Sequence, residues 1–195
     1  MKLLMTAFEP FGGETVNPSA LVLEKLTAPD GMQIEKRILP VTFSGAPALL
    51  GRLIDEVQPD AVLCLGQAGG RNAITPELVA INWMDASIPD NAGDKPMQQK
   101  IIPDGPDAYF STLPVYKMAQ AATDAGISAR VSLSAGAYVC NRVLFEALSI
   151  AKNRPNLRAA FVHVPFLPEQ AKEKQAPSMA LEEMVRGINA MLKAL

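Results

Sequence analysis

Short apolar runs alternate with helically spaced apolar stripes along this chain. Lys2 to Ala7 is an apolar run closed by Phe8-Glu9-Pro10-Phe11-Gly12-Gly13, the pattern of a buried strand leading into a loop. Asn17-Pro18-Ser19 opens a helix, with Asn17 as its cap and Pro18 at its first position, and the helix breaks near Pro29-Asp30-Gly31. Met32 to Val41 alternates as a strand does. Ser44 is the expected cap of a helix in which Leu49, Leu50, Leu53, Ile54 and Val57 recur at helical spacing. Ala61-Val62-Leu63-Cys64-Leu65 is continuously apolar, as in a central parallel strand covered on both faces, which puts Cys64 in the core.

The run ends in the loop Gly66-Gln67-Ala68-Gly69-Gly70-Arg71, and a β-rich segment follows over 74–83. Residues 85–106 are rich in Pro, Gly, Asp and Asn and predict a long surface loop, with turn chemistry at Pro89-Asp90-Asn91-Ala92-Gly93. A helix is expected from Ser111 or Thr112, ahead of Pro114, to Ala125. Ala129 to Leu133 predicts a strand that runs through a small-residue turn into a helix carrying Val143, Leu144, Ala147, Leu148 and Ala151. Leu157 to Pro165 is the last strand, and Pro177 to Leu195 a terminal amphipathic helix. Strands and helices alternate throughout, with no repeat or linker. The expectation is one α/β domain over 1–195, with a largely parallel sheet and helices on both faces.

Composition narrows the function. Of 195 residues, 49% are hydrophobic, enough for a sizeable core, and the net charge of -2 leaves no basic face for nucleic acid or anionic membrane. The first apolar run is too short for a signal peptide and meets Pro10 at once, so a cytoplasmic location is expected. Two cysteines, Cys64 and Cys140, make neither a disulfide framework nor a zinc site. Cys140 falls in the first turn of the helix that follows the small-residue turn Ser134-Ala135-Gly136-Ala137, where the helix dipole and unpaired N–H groups favour the thiolate and Gly136 lets the backbone approach a substrate. The chain has a single histidine, His163, at the carboxyl end of the last strand, the sheet edge at which Cys140 is also expected. Glu77 is a candidate orienting carboxylate for it. Each has a plainer alternative: a structural thiol, a packed imidazole, an exposed Glu. Phe8 and Phe11 are either core plugs or ligand walls, and Gln67 offers a donor and an acceptor suited to an amide or lactam.

The chain resembles the cysteine-type pyroglutamyl peptidases along essentially its whole length. The resemblance is carried by Thr6 to Ser19 (TAFEPFGGETVNPS), Gly66 to Arg71 (GQAGGR), Glu77 to Asn82 (ELVAIN), Ile88 to Asn91 (IPDN), Phe110 to Pro114 (FSTLP), Ser134 to Asn141 (SAGAYVCN) and His163 to Gln170 (HVPFLPEQ). It implies a three-layer α/β/α sandwich, commonly assembled as a homotetramer, that removes the N-terminal pyroglutamyl residue from peptides without metal or cofactor. The family's nucleophile falls on Cys140, its base on His163 and its acid on Glu77. The aromatic walls of the lactam site fall on Phe8 and Phe11 and the recognising amide on Gln67, with Asn17 counted among the substrate-binding positions.

Two departures stand out. The family's Asp-Ala-Arg-Ile run reads Asp85-Ala86-Ser87-Ile88 here, and Leu78 stands where an arginine commonly follows the acid. Arg71 is the candidate that compensates. Ser87 keeps open a weak or inactive homologue that binds pyroglutamyl ligands. A nucleoside-phosphorylase-like transferase shares Gly-rich loops at strand ends, but lacks support because Arg71 is the only basic residue of a would-be phosphate cluster.

Overall fold

The computed structural model describes residues 1–172 and 174–195. Four strands run parallel through its middle: β1 (Lys2–Phe8), β2 (Gln33–Leu39), β3 (Ala61–Gln67) and, near the end of the chain, β7 (Arg158–Val164). The short strand β4 (Thr75–Glu77) closes one side antiparallel to β7, giving the order β2-β1-β3-β7-β4. Two further short strands, β5 (Val79–Ile81) and β6 (Ala108–Phe110), pair antiparallel in a separate ribbon.

Period-two alternation sorts the sheet's side chains into two cores. Leu3, Met5, Leu63, Leu65, Ala160 and Val162 face one side, packed against the helices α1 (Pro18–Lys25), α3 (Val115–Asp124) and α6 (Leu181–Leu192). Leu4, Phe8, Val62, Cys64, Ala159 and Phe161 face the other, against α2 (Gly45–Val57) and α4 (Val139–Lys152). This is the three-layer α/β/α arrangement with a mostly parallel sheet. A last short helix, α5 (Pro168–Lys172), follows β7. Among the described residues no helix is long and apolar enough to cross a membrane.

Local chemistry explains where the elements depart from the expected ones. Residues 128–132 lie parallel beside β4: Ile74 N donates to Ser128 O at 2.9 Å, Arg130 N to Ile74 O at 3.1 Å, Ser132 N to Pro76 O at 2.9 Å and Leu78 N to Ser132 O at 2.8 Å. Pro76 has no N–H to give, so the ladder misses its middle rung and survives as two isolated bridges instead of the expected strand. Ser44 does not cap α2. It already has helical dihedrals, and Thr42 Oγ1 accepts from Gly45 N at 3.1 Å in its place. Thr112 likewise leaves α3 uncapped, because its Oγ1 accepts from Ala159 N at 2.8 Å and ties the α3 approach to β7. The terminal helix begins at Leu181, later than Pro177, because Met179 N still donates to Phe166 O at 3.0 Å. Asn17 caps α1 as expected, its Oδ1 accepting from Ser19 N at 3.1 Å.

Helix α6 docks through Gly187. A Cβ there would lie 2.5 Å from Ile74 Cδ1 and 3.0 Å from Ile127 Cγ2, both in the packed core. Gly187→Ala is therefore expected to lower stability by about 1–3 kcal/mol by overpacking, despite the ~1 kcal/mol that alanine gains over glycine inside a helix. Urea unfolding measures this, and a variant as stable as the parent would contradict the close docking of α6.

Candidate active site

Parallel strands deliver their carboxyl ends to one edge, and loops there form the crevice. β1 ends in Phe8, β3 in Gln67, and β7 carries His163 one residue before its end. His163 pairs with Gly66 across the β3–β7 ladder and with Thr75 across β4–β7. Glu77 pairs with Phe161, two residues back on the same face, so its carboxylate reaches His163 along the diagonal. The Glu77 Oε1 to His163 Nδ1 distance is 2.7 Å, and Glu77 is fully buried. The carboxylate accepts, so Nδ1 carries the proton and the lone pair of the neutral ring sits on Nε2.

Cys140 is the second residue of α4, in its first turn as expected. The cap, Tyr138, makes no side-chain cap bond, so no side chain occupies the helix start. The amides of Val139, Cys140 and Asn141 precede the first helical bond, from Arg142 N to Tyr138 O at 3.1 Å. Cys140 Sγ lies against Gly66. A Cβ built on Gly66 would sit 3.1 Å from that sulfur and 2.7 Å from Phe161 Cζ, so the strand must be bare here for the thiol to reach it. Phe161 and His163 project from the same face of β7, with ring centroids 4.7 Å apart. The thiol, the imidazole and the carboxylate are thus gathered on one face at one edge of the sheet.

Three supports were not legible as such. Arg71 Nη1 donates to Glu77 Oε1 and to Thr75 Oγ1, each at 2.5 Å, and its Nη2 to Ser134 O at 3.1 Å. It thereby links the carboxylate to the turn that leads to Cys140. Asn141, fully buried, accepts from Ile81 N at 2.9 Å and donates to Ile81 O at 2.9 Å and Trp83 O at 3.1 Å, pinning the start of α4 to β5. Tyr138 donates to Pro89 O at 3.0 Å, and Asp90 Oδ2 accepts from Phe43 N at 2.7 Å, so the long 85–106 loop is fastened beside the site.

A tight cleft, with room for about one water molecule, lies between Phe8, Phe11, Asn17, Val41, Gln67, Tyr138, Val139 and Cys140. All four expected substrate-binding residues therefore line the cleft that also reaches the thiol. Phe8 is at once core and wall. Asn17 spends its oxygen on Ser19 and donates Nδ2 to Glu9 O at 2.9 Å, so it shapes the wall more than it offers an open polar group. Among the described residues, no group of three or more His, Cys, Asp or Glu could hold a metal ion.

Burial decides the protonation states. It pushes the Cys140 thiol up to about 12, reinforced by the nearby Glu77 charge and opposed by Arg71 and the helix-start backbone. The expected depression of this thiol is thus overturned: the helix start helps the thiolate, but desolvation outweighs it. Burial also lowers the His163 imidazole below its usual range, against the pull of Glu77. Burial raises the Glu77 carboxyl, but the hydrogen bond from His163 and the Arg71 charge bring it below the usual carboxylate range. These directions favour a neutral thiol beside a neutral imidazole, with Glu77 as the carboxylate.

The family model for pyroglutamyl peptidase matches residues 1–195. The chain is 46% identical over 196 residues to the pyrrolidone-carboxylate peptidase of Lactobacillus acidophilus, spanning 100% of this chain and 98% of that one. It is 49% identical over 197 residues to that of Thermococcus onnurineus, covering 99% and 98%. Its fold superposes on pyroglutamyl peptidase I from Bacillus amyloliquefaciens with a TM-score of 0.95 at 40% identity, covering 99% of this chain and 93% of that chain. On the pyrrolidone carboxyl peptidase of Pyrococcus furiosus the TM-score is 0.94 at 38% identity, covering 99% and 97%.

Iodoacetamide is expected to label Cys140 alone in the native protein, because Cys64 is fully buried and its thiol is also pushed up to about 12. The labelling rate should climb through alkaline pH without a plateau below neutrality. Mass spectrometry of the labelled peptides checks both. Equal labelling of Cys64, or a fast acid plateau, would contradict the neutral-thiol site.

Proposed function

The chain belongs to the pyroglutamyl peptidase family and is a cysteine-type hydrolase, and from that premise we propose that it removes N-terminal pyroglutamyl residues with Cys140 as nucleophile, His163 as general base and acid, and Glu77 as the orienting carboxylate. The observation that carries this reading is the 2.7 Å bond between Glu77 Oε1 and His163 Nδ1, on the sheet face where the Cys140 sulfur meets Gly66.

Chemistry follows from the protonation states. With Nδ1–H committed to Glu77, Nε2 takes the thiol proton as Sγ attacks the pyroglutamyl carbonyl carbon. Charge separation is deferred to the moment of attack, when Glu77 stabilises the imidazolium. The oxyanion forms at the uncapped start of α4, where the first-turn amides can donate to it. Nε2 then returns the proton to the leaving amine, the C–N bond breaks, and a thioester remains on Cys140. Water, activated by Nε2, attacks the thioester, releases pyroglutamic acid and restores the thiol. Arg71 holds the carboxylate from the other side and supplies a fixed positive charge where Ser87 and Leu78 supply none. That contact supports an active enzyme over a non-catalytic binder.

The lactam ring is small, flat and neutral. The rings of Phe8 and Phe11 bury its CH₂ groups and Gln67 meets its polar edge. Self-association as a homotetramer is part of the same reading, carried by the family resemblance alone.

Hydrolysis of a chromogenic pyroglutamyl amide tests the assignment. Cys140→Ser and His163→Gln should each lower kcat by roughly 10³-fold or more, and Glu77→Gln by about 10²-fold or more, with folding retained by circular dichroism. Residual turnover near the parent's in any of the three would remove that residue from its role.

A further inference from the structure

A buried amide behind the cleft sets its hydrogen-bond polarity. Gln170, on α5, is 7% exposed, and its Oε1 accepts from the Leu167 backbone N–H at 3.1 Å. A backbone N–H can only donate, so this end of the carboxamide must be oxygen. The other end, Nε2, faces Glu14 Oε2 at 3.1 Å, the Val16 carbonyl at 3.3 Å and the Gln67 carboxamide at 3.1 Å. The Val16 carbonyl can only accept. Glu14 is a carboxylate: the Lys174 Nζ bond at 2.7 Å is the main cause holding its carboxyl below the usual range, and Gln170 adds to it. Both ends of Gln170 are therefore fixed by groups that have no alternative role.

The constraint passes to Gln67. Facing a donor, it must turn its own Oε1 toward Gln170. A carboxamide is planar with oxygen and nitrogen at opposite corners, so Nε2 is left on the cleft side, where Gln67 meets Phe8, Phe11 and Cys140. Gln67 Nε2 has no protein partner among the described residues.

We propose that Gln170 is a positioning residue that makes the ring subsite a hydrogen-bond donor, by holding Gln67 with its NH₂ toward the cleft, and that this selects a five-membered ring bearing a carbonyl oxygen over the same ring without one. The inference rests on the cleft being the pyroglutamyl subsite and adds what reads the lactam. A prolyl ring fits the same walls but offers no oxygen, so it leaves the Gln67 NH₂ unpaired in a desolvated cleft. Sites built on buried hydrogen bonds reject analogues lacking the partner far more strongly than apolar holes do.

Steady-state kinetics of Gln170→Glu and Gln170→Met with pyroglutamyl and prolyl chromogenic amides tests this. An ionised Glu offers only acceptors, so Gln67 must reverse and present Oε1 to the cleft. KM for the pyroglutamyl amide should rise about tenfold or more, with kcat within roughly threefold, and the preference over the prolyl amide should fall by a similar factor. Met removes the donor without imposing the reverse orientation, so its KM should rise less. A packing role alone gives the opposite order, because Glu matches Gln in shape more closely than Met does. The Gln170→Glu exchange in a Glu14→Gln background removes the like-charge contact and should leave KM raised. Protection of Cys140 from iodoacetamide by 2-pyrrolidinone, which needs no turnover, should weaken in the same rank. Parent-like KM and protection in Gln170→Glu, or a milder effect than in Gln170→Met, overturns the inference while the parent's hydrolysis stands. A parent that 2-pyrrolidinone protects in this rank, yet that cleaves no pyroglutamyl amide, supports the inference and overturns the hydrolase reading instead.

Discussion

One oxygen atom organises the active edge. Glu77 Oε1 receives His163 Nδ1 at 2.7 Å and Arg71 Nη1 at 2.5 Å in a place closed to water. A buried carboxylate is costly unless it is matched by a charge and by hydrogen bonds. Here the match comes from two sides: the guanidinium neutralises, and the imidazole must donate. The donation fixes the tautomer of the ring, and with it the basic character of Nε2. The other oxygen, Oε2, has no hydrogen-bond partner among the described residues, so the pair is not built for stability alone. Arg71 then continues to the Ser134 carbonyl, so the carboxylate and the turn that delivers Cys140 are parts of one network.

Desolvation sets how this network works. A helix start favours a nearby anion by about 0.3–1 kcal/mol, whereas stripping water from an ion costs several kcal/mol. The sulfur is held against Gly66 and the Phe161 ring with the Glu77 charge nearby, so desolvation and that charge push the thiol up against the pull of the helix start. A neutral couple is a coherent design for a site that binds a neutral lactam: no ion must be re-solvated when the substrate leaves, and the ion pair exists only while bonds are changing. The uncapped start of α4 is then free to serve the oxyanion.

Much of this was legible in the chain. Continuous apolar runs marked β1, β3 and β7, whose carboxyl ends carry Phe8, Gln67 and His163 to one edge of the sheet. The cap at Asn17 and the helix start before Cys140 follow from local chemistry, which short stretches carry in full. What failed was non-local. The broken ladder beside β4 comes from a proline in the neighbouring strand, not from anything within residues 129–133. The thiol's protonation depends on Gly66 and Phe161, far away along the chain, so its helix position alone pointed the wrong way. Arg71 was visible only as a nearby cation, and its bond to Glu77 needed the fold. Gln170 was a letter in a matching motif, because its meaning lies in the orientation it imposes on Gln67, 103 residues away.

The sole imidazole of the chain gives the most direct test. In protein labelled with ¹⁵N-histidine, a single ring contributes a single pair of nitrogen resonances. The account predicts, at neutral pH, a protonated Nδ1 and an unprotonated Nε2, with the second proton arriving only below the ordinary imidazole range near 6.5. An imidazolium with both nitrogens protonated at neutral pH, or a ring protonated on Nε2 alone, would contradict it.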